Sequence, residues 1–588
     1  MRSFEQPRRR GRHLLLALLA AAARAQQAPP PLESLASAWQ PRNETVGNMP
    51  TVSNFWGSST PSTDPLDALG LDVFDAFPFV GWLRTRLSAR DPATGAEWLF
   101  APNASRWLAS RSERLAYASA AGSSETAAAL GAPNSFADVT AEVAHRPLFE
   151  SAQTLISLTL RNGGAAPVTL GALQLAVTTG VRLVTEMSWV VPLPLADGSW
   201  ACSGFVAADA AKTPAVFFLD SISRARQVVG TSPPPASITG GGAPAPSCGA
   251  NLNYGNVTIA AGGAWTLALG MVPDVDVTNA TTALLALLAD PAAAAAASDA
   301  AWEARWQQAF TPGNGHFSGS APLMTVDAGN ASAAAAASFY YMSVLSVLTT
   351  ERVNWRQSTL FSDCPRLYAV GQEGLAGGGA PAGRPLGGAA FWIWDEGYTS
   401  LLLSLLDPNA VRAYLRAILR SVDITTTNAI DLISGEPILP WPNGFGGGGF
   451  YAFNSLQLFT MASQYVTSTN DTAFLDERIG PASARVADTL LELALHWQSA
   501  DADHDLLAEY SDDDGNYLEC VPHYRGAIAA LQGASVFMMR SVADMIDRLY
   551  ARDAALGPWP AQLRALAANM SAVTRERLYV AGEGMWGE

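Results

Sequence analysis

Residues 391–400 read FWIWDEGYTS, with two indoles, Trp392 and Trp394, just ahead of the adjacent carboxylates Asp395 and Glu396. That combination suits a sugar. Pyranose C–H faces pack on indole rings, while carboxylates accept hydrogen bonds from neighbouring hydroxyls. In an extended segment Trp392 and Trp394 share one side and Asp395 points to the other. A turn at Gly397 would bring Asp395 and one indole around the same ligand. A second reading stands beside this one. The stretch is also what a helix N-terminus looks like, with Asp395 and Glu396 complementing the macrodipole and the tryptophans packed in a core. It is acidic for a buried helix and aromatic for an ordinary loop.

A second stretch, LLAEYSDDDGNYLECVPHYRG (506–526), sets Glu519 between Leu518 and Cys520-Val521-Pro522. Apolar neighbours disfavour the charged form of a carboxyl, which suits a general acid. Arg525 is placed to orient that acid or to hold substrate, and His523 is a subsite ligand or a surface histidine. Asp512, Asp513 and Asp514 precede Gly515 as a solvated turn, and their spacing does not match a known calcium loop. Trp441, in LPWPNGF, is either a subsite wall or a loop-packing residue. No phosphate-cradling loop, zinc-ligand cluster or Ser-His-Asp elbow is evident, so neither metal nor cofactor is expected.

These stretches need a frame. With 588 residues the chain exceeds what one core organises, so a multidomain β + α protein is expected. From about Val73 to Val272 the hydrophobic period is two, as in TLISLTL (154–160) and AVFFLDSI (215–222). This reads as an antiparallel β-sandwich over residues 46–285, with Gly262-Gly263 turning a hairpin. Asp290-Pro291 then caps an Ala-rich linker helix within 286–325. Beyond it the period becomes 3.6, with helices expected over 338–348, 401–406, 411–418, 456–466, 486–497, 528–549 and 563–573. Asp407-Pro408 caps one of them. Long Gly-rich connections at 374–388 and 443–450 separate these helices, and long loops within a helical domain tend to carry function.

The net charge of −16 argues against a nucleic-acid partner. Residues 1–25 read as a secretory signal, with arginines at 8, 9, 10 and 12, an apolar run 14–22, and a cleavage site at Ala23-Arg24-Ala25. No membrane span is expected after its removal, which makes the protein secreted or lumenal. Sequons at Asn43, Asn103, Asn256, Asn279, Asn330, Asn470 and Asn569 imply N-glycans. The Pro- and Ser-rich lead-in 26–45 is expected to be poorly ordered. Cys202 and Cys248 are candidates to pair, whereas Cys364 and Cys520 are unassigned.

WDEGY (394–398) resembles the Trp-Asp-Glu-Gly-aromatic motif of glycoside hydrolase family 63, the processing α-glucosidases and mannosylglycerate hydrolases. It is similar to the early Trp-Asp of trehalases. YLECVPHYR (517–525) resembles, more loosely, the later acid motif of those families, and the likeness spans roughly residues 290–588. It implies an (α/α)6 six-hairpin toroid (residues 326–588) behind the sandwich, and inverting hydrolysis of an α-linked glucoside or small glycoside. Carried over by position, Glu519 takes the place of the general acid, usually Asp in the family. Asp395 takes that of a carboxylate holding water or sugar. Beside these two, Trp392, Trp394, Glu396, Trp441 and Arg525 are the candidate substrate-binding residues. FSDCPRLY (361–368) resembles the Asp-Cys-Pro-x-Arg motif of α-L-rhamnosidases, a rival substrate class. A catalytically inactive sugar-binding protein is the other alternative.

The resemblance carries one more expectation. A ring of six hairpins takes twelve helices, whereas about seven are legible by Val573, and the families place their general base far beyond the acid. Glu583 and Glu588 precede that position. The barrel is therefore expected to be truncated at its C-terminus, and the chain inactive or unstable by itself.

Overall fold

Alternation builds the first region. Between Leu173 and Thr179 every second side chain (Leu173, Leu175, Val177) is buried while Gln174, Ala176 and Thr178 are half-exposed, as a strand with one face on a core requires. The computed structural model describes residues 28–35, 40–41, 52–53, 57–61, 69–76, 79–93, 95, 97–99, 101–108, 112–118, 138–183, 215–219, 226–240, 249–324, 331–352, 364, 366–368, 390–421, 429–431, 437–438, 453–510, 526–582 and 584–586.

Two antiparallel sheets face each other. One runs in the order β1 (Gln40–Pro41), β7 (Ala101–Leu108), β8 (Ser112–Ala118), β9 (Val139–Pro147), β10 (Thr154–Asn162), β16 (Ala264–Asp274), β13 (Arg226–Ser232), β12 (Ala215–Leu219). The other runs β14 (Ser237–Gly240), β15 (Gly249–Ile259), β11 (Val168–Leu183), β5 (Phe79–Arg90), β4 (Leu71–Ala76), β3 (Gly57–Pro61), β2 (Val52–Ser53), with β6 (Glu97–Leu99) on β5. Leu83, Leu87, Leu175 and Leu252 of one sheet meet Val143, Ile156, Leu158 and Leu269 of the other in a shared core.

The expected Gly262-Gly263 hairpin needs correcting. The turn exists, with Gly262 at φ +66° and the Gly263 N–H donating to the Ala260 carbonyl at 2.9 Å. Yet β15 pairs with β11 and β14, while β16 pairs with β10 and β13. The turn is an arch between sheets. Crossing there lets Ile259 and Leu267 both enter the space between the layers.

Two helices follow, bent by 94° at their junction. In α1 (Val277–Ala289) the Asp276 side chain caps Thr278 N at 2.7 Å. Its residues Ala280, Leu284 and Leu287 cover the outer face of the sheet at Leu155, Val228 and Val272. A Cβ on Gly270 would lie 2.6 Å from Leu284 Cδ1, so the glycine permits this close approach. Most of this helix, residues 277–285, falls inside the range read as sandwich from sequence. In α2 (Pro291–Ala309), Asp290 caps Ala293 N at 2.9 Å and proline occupies the first turn, as the sequence motif implies.

The remaining helices are α3 (Ala331–Thr349), α4 (Ile393–Leu406), α5 (Pro408–Ser421), α6 (Asn454–Thr469), α7 (Val486–Leu495), α8 (Ala529–Leu549) and α9 (Trp559–Leu578). Each of the seven periodic stretches coincides with one of them, although 486–497 runs two residues past α7 and 528–549 begins one residue before α8. These nine α-helices, counted among the described residues, make a helical region behind the β region. They are fewer than a closed ring of six hairpins requires. Ser332–Thr349 of α3 is long and apolar enough to cross a membrane by length and composition, with a third of that window buried. Its Tyr341, Val344, Leu345 and Leu348 pack into the helical core.

The lead-in also differs from expectation. Leu32 is wholly buried beside Trp306, the Leu32 N–H donates to Glu303 Oε2 at 3.1 Å, and the Trp306 indole donates to the Pro30 carbonyl at 2.7 Å. An apolar side chain and two backbone hydrogen bonds outweigh the composition of the segment.

Candidate functional site

The WDEGY motif lies at a strand-to-helix junction. Three short strands, β17 (Ala390–Trp392), β18 (Ala429–Asp431) and β19 (Pro437–Ile438), form an antiparallel sheet in which Trp392 pairs with Ala429. The chain turns helical at Ile393, which puts Trp394, Asp395 and Glu396 in the first turn of α4. The extended arrangement considered from sequence is thereby corrected: strand geometry ends at Trp392. Asp395 and Glu396 complement the positive end of the α4 dipole, as the second reading of the motif held.

The two carboxylates have separate surroundings. Glu396 is 1% exposed, and its Oε2 accepts from Thr399 Oγ1 at 3.2 Å. A helix thus buries an acid that the sequence marked as out of place in one. Asp395 is half-buried. Desolvation pushes its carboxyl above the ordinary aspartate value, and a hydrogen bond from its own backbone partly offsets this. The pair divides into an acid locked inside and a carboxyl at the surface that holds its proton more tightly than usual.

Gly397 fixes where the pair sits. A Cβ there would fall 2.1 Å from Gln457 Oε1 and 2.5 Å from Gln457 Cβ, so α4 and α6 touch through the glycine. Ser400, Leu403 and Ser404 are buried on the same helix, while Tyr398, Leu401 and Leu405 are exposed. Phe453, just before α6, lies against Trp394 with ring centroids 5.3 Å apart and planes at 35°. It also stacks with Tyr398 at 6.5 Å and 29°.

Charged groups buried beneath the site hold its elements. Asp407, wholly buried between α4 and α5, accepts from Arg366 Nη2 at 2.8 Å, Ser318 Oγ at 2.6 Å and the Tyr368 hydroxyl at 3.2 Å. The Asp407 side chain does not bond the first turn of α5. Ser318 Oγ does so instead, accepting from Asn409 N at 2.9 Å. Arg366 and Tyr368 belong to FSDCPRLY, so this part of the rhamnosidase-like motif binds a buried carboxylate. Glu351, also wholly buried, meets Arg305 Nη1 of α2 at 3.0 Å and His316 Nε2 at 2.8 Å. Arg305 pairs in turn with Glu150 after β9, which ties the sandwich to the helical region.

Among the described residues Asp501, Asp503 and Asp505 bring ligand oxygens within 4.8 Å of one another. Their oxygens already accept from Asp505 N, Leu506 N and Leu507 N, and Asp505 pairs with Arg577. The spacing was legible as alternate aspartates, the last of them seven residues before Asp512. Trp441, Glu519, His523, Arg525, Asp512–Asp514, Glu583, Glu588 and the Cys202, Cys248 and Cys520 thiols lie outside the described residues, as does the Trp392 side chain. Of the residues singled out from sequence, Trp394, Asp395 and Glu396 stand together. Phe453, Tyr398 and Gln457 were missed; an aromatic three residues after an acid on a helix was the available signal for Tyr398.

No family model matches the chain, and no curated protein matches it. Solved structures do. A bacterial glucoamylase complexed with acarbose aligns with TM-score 0.51 and 9% identity over 94% of this chain and 70% of that one. A human-microbiome chain named as a kojibiose phosphorylase aligns with TM-score 0.46 and 9% identity over 95% of this chain and 72% of its own. A family GH92 α-mannosidase from Bacteroides thetaiotaomicron aligns with TM-score 0.32 and 10% identity over 94% and 79%. All three are six-hairpin glycosidase-type folds. At these identities the likeness to the glucoamylase is one of fold.

Proposed function

We propose that this chain is a glycoside hydrolase acting on an α-linked glucoside or gluco-oligosaccharide with inversion. Asp395 contacts sugar or the attacking water, and Glu519 is the proton donor. The observation that carries the reading is the half-buried carboxyl of Asp395, held above its ordinary pKa in the helical turn that also carries Trp394 and Tyr398, both of which meet Phe453. The glucoamylase-like fold supports the substrate class. Trp392, Trp441 and Arg525 complete the subsite in this proposal, and buried Glu396 acts from behind it. Secretion with N-glycans belongs to the same proposal: the sequon residues Asn256, Asn279, Asn470 and Asn569 are exposed.

The test is hydrolysis of maltose, kojibiose and aryl α-glucosides by the full chain, with the anomer of the released sugar read by NMR. Glu519→Gln is expected to lower turnover about 10²–10⁴-fold with binding retained. Asp395→Asn is expected to weaken both binding and rate. Turnover unchanged in Glu519→Gln removes that residue from the mechanism. Intact binding and rate in Asp395→Asn, with only the melting temperature altered, leaves Asp395 as a helix-terminal acid.

A further inference from the structure

Tyr398 is 63% exposed, an unusual place for a large ring on a helix whose opposite face is packed. It is held nonetheless. One face stacks on Phe453 at 6.5 Å, and Phe453 also meets Trp394 at 5.3 Å, so the three rings lie within 35° of a common tilt in neighbouring pairs. Trp394 and Tyr398 are four apart on α4, and Asp395 and Tyr398 three apart, so ring, carboxyl and ring adjoin on one helix surface. The Gly397–Gln457 contact fixes α4 against α6, and with it the separation of Tyr398 from Phe453.

We propose that Tyr398, backed by Phe453, is a sugar-stacking platform that extends the Asp395 site by one pyranose ring. The proposal rests on the reading of that site as a carbohydrate site and adds a specificity residue to it. A flat apolar ring beside a hydrogen-bonding carboxyl matches a pyranose, whose C–H face is apolar and whose rim is hydroxylated. Because the platform is fixed before binding, little ordering cost opposes the contact. Leu401 and Leu405 continue the exposed stripe but offer neither a stacked ring nor a neighbouring carboxyl. They serve as controls.

The experiment is calorimetric titration of the full chain with maltose and maltotriose, comparing the natural chain with Tyr398→Ala, Tyr398→Phe and Leu401→Ala. Tyr398→Ala is expected to bind maltotriose about three- to tenfold more weakly. Tyr398→Phe and Leu401→Ala are expected to bind as the natural chain does. Near-ultraviolet circular dichroism checks that the variants keep their packing. Equal binding by Tyr398→Ala overturns the platform and leaves the carbohydrate reading standing. If both alanine variants instead change the sedimentation of the chain and not its sugar affinity, the stripe is a protein-contact surface and the platform is overturned. Failure of the natural chain to bind either sugar removes the carbohydrate reading and the platform with it.

Discussion

The sandwich and the helical region solve burial in opposite ways. Between the sheets the described core is mostly leucine, isoleucine and valine, with three alanines and Met271, and no described carboxylate of the β region is wholly buried. The helical region wholly or almost wholly buries Glu351, Glu396 and Asp407, each tied by hydrogen bonds. Exposure shows the same contrast. Among the described residues, the large apolar side chains left exposed all lie at or beyond Val275. The sandwich hides its apolar surface, whereas the helical region wholly buries carboxylates and shows rings to solvent. Buried charge is costly unless paired, and it holds neighbouring elements in one arrangement only while every partner is present. That is the behaviour expected of a region that positions a site rather than one that merely supports it.

The sharpest way to break this contrast is at Asp407. Asp407→Ala leaves Arg366 facing an empty partner position and is expected to destabilise the helical region by about 3–5 kcal/mol. Hydrogen exchange should show faster opening of α4 and α5 with β10 and β16 unaffected; equal loss in both regions would mean that they unfold as one. Ser318→Ala is expected to cost less, about 1–2 kcal/mol, because it removes the hydroxyl that caps α5 and one hydrogen bond to Asp407. A denaturant midpoint unchanged by that substitution would show that solvent replaces the cap.

The smallest effect tests the half-buried carboxyl of Asp395. Because its folded pKa is raised, Asp395 contributes its full stability below the unfolded value, and that contribution is lost as pH rises through the folded one. Asp395→Asn should therefore match the natural chain in acid and exceed it in stability near neutral pH. Melting curves across that range check the sign. A variant less stable at neutral pH would mean that the helix-dipole interaction outweighs desolvation.

Several of these features were legible in the residues themselves. Period-two stretches became strands, and the seven stretches with a 3.6-residue period lie on helices, because one-sided burial imposes those spacings wherever it occurs. The turn at Gly262 was visible, but the sheets joined by it were not, since partner choice depends on strands far along the chain. The Asp395 motif was ambiguous for the same reason. Strand geometry reaches Trp392 only because Ala429 pairs with it, and no local pattern records that partner. Asp407 looked like an ordinary helix cap, whereas its carboxylate serves Arg366, Tyr368 and Ser318, drawn from two other segments.

The strap formed by residues 30–35 bears on the order of assembly during synthesis. Leu32 and Pro30 bond to Glu303 and Trp306, and β1, a few residues on, pairs with β7. The first of these partners cannot exist until the ribosome has added some 270 more residues, the sequence separations being 271 and 276. At about 5–20 residues per second, that is a wait on the order of tens of seconds. Throughout it the Leu32 side chain has no α2 to enter. This segment is thus made well before the helix on which it docks, and once docked it joins α2 to a stretch of chain that continues into β1.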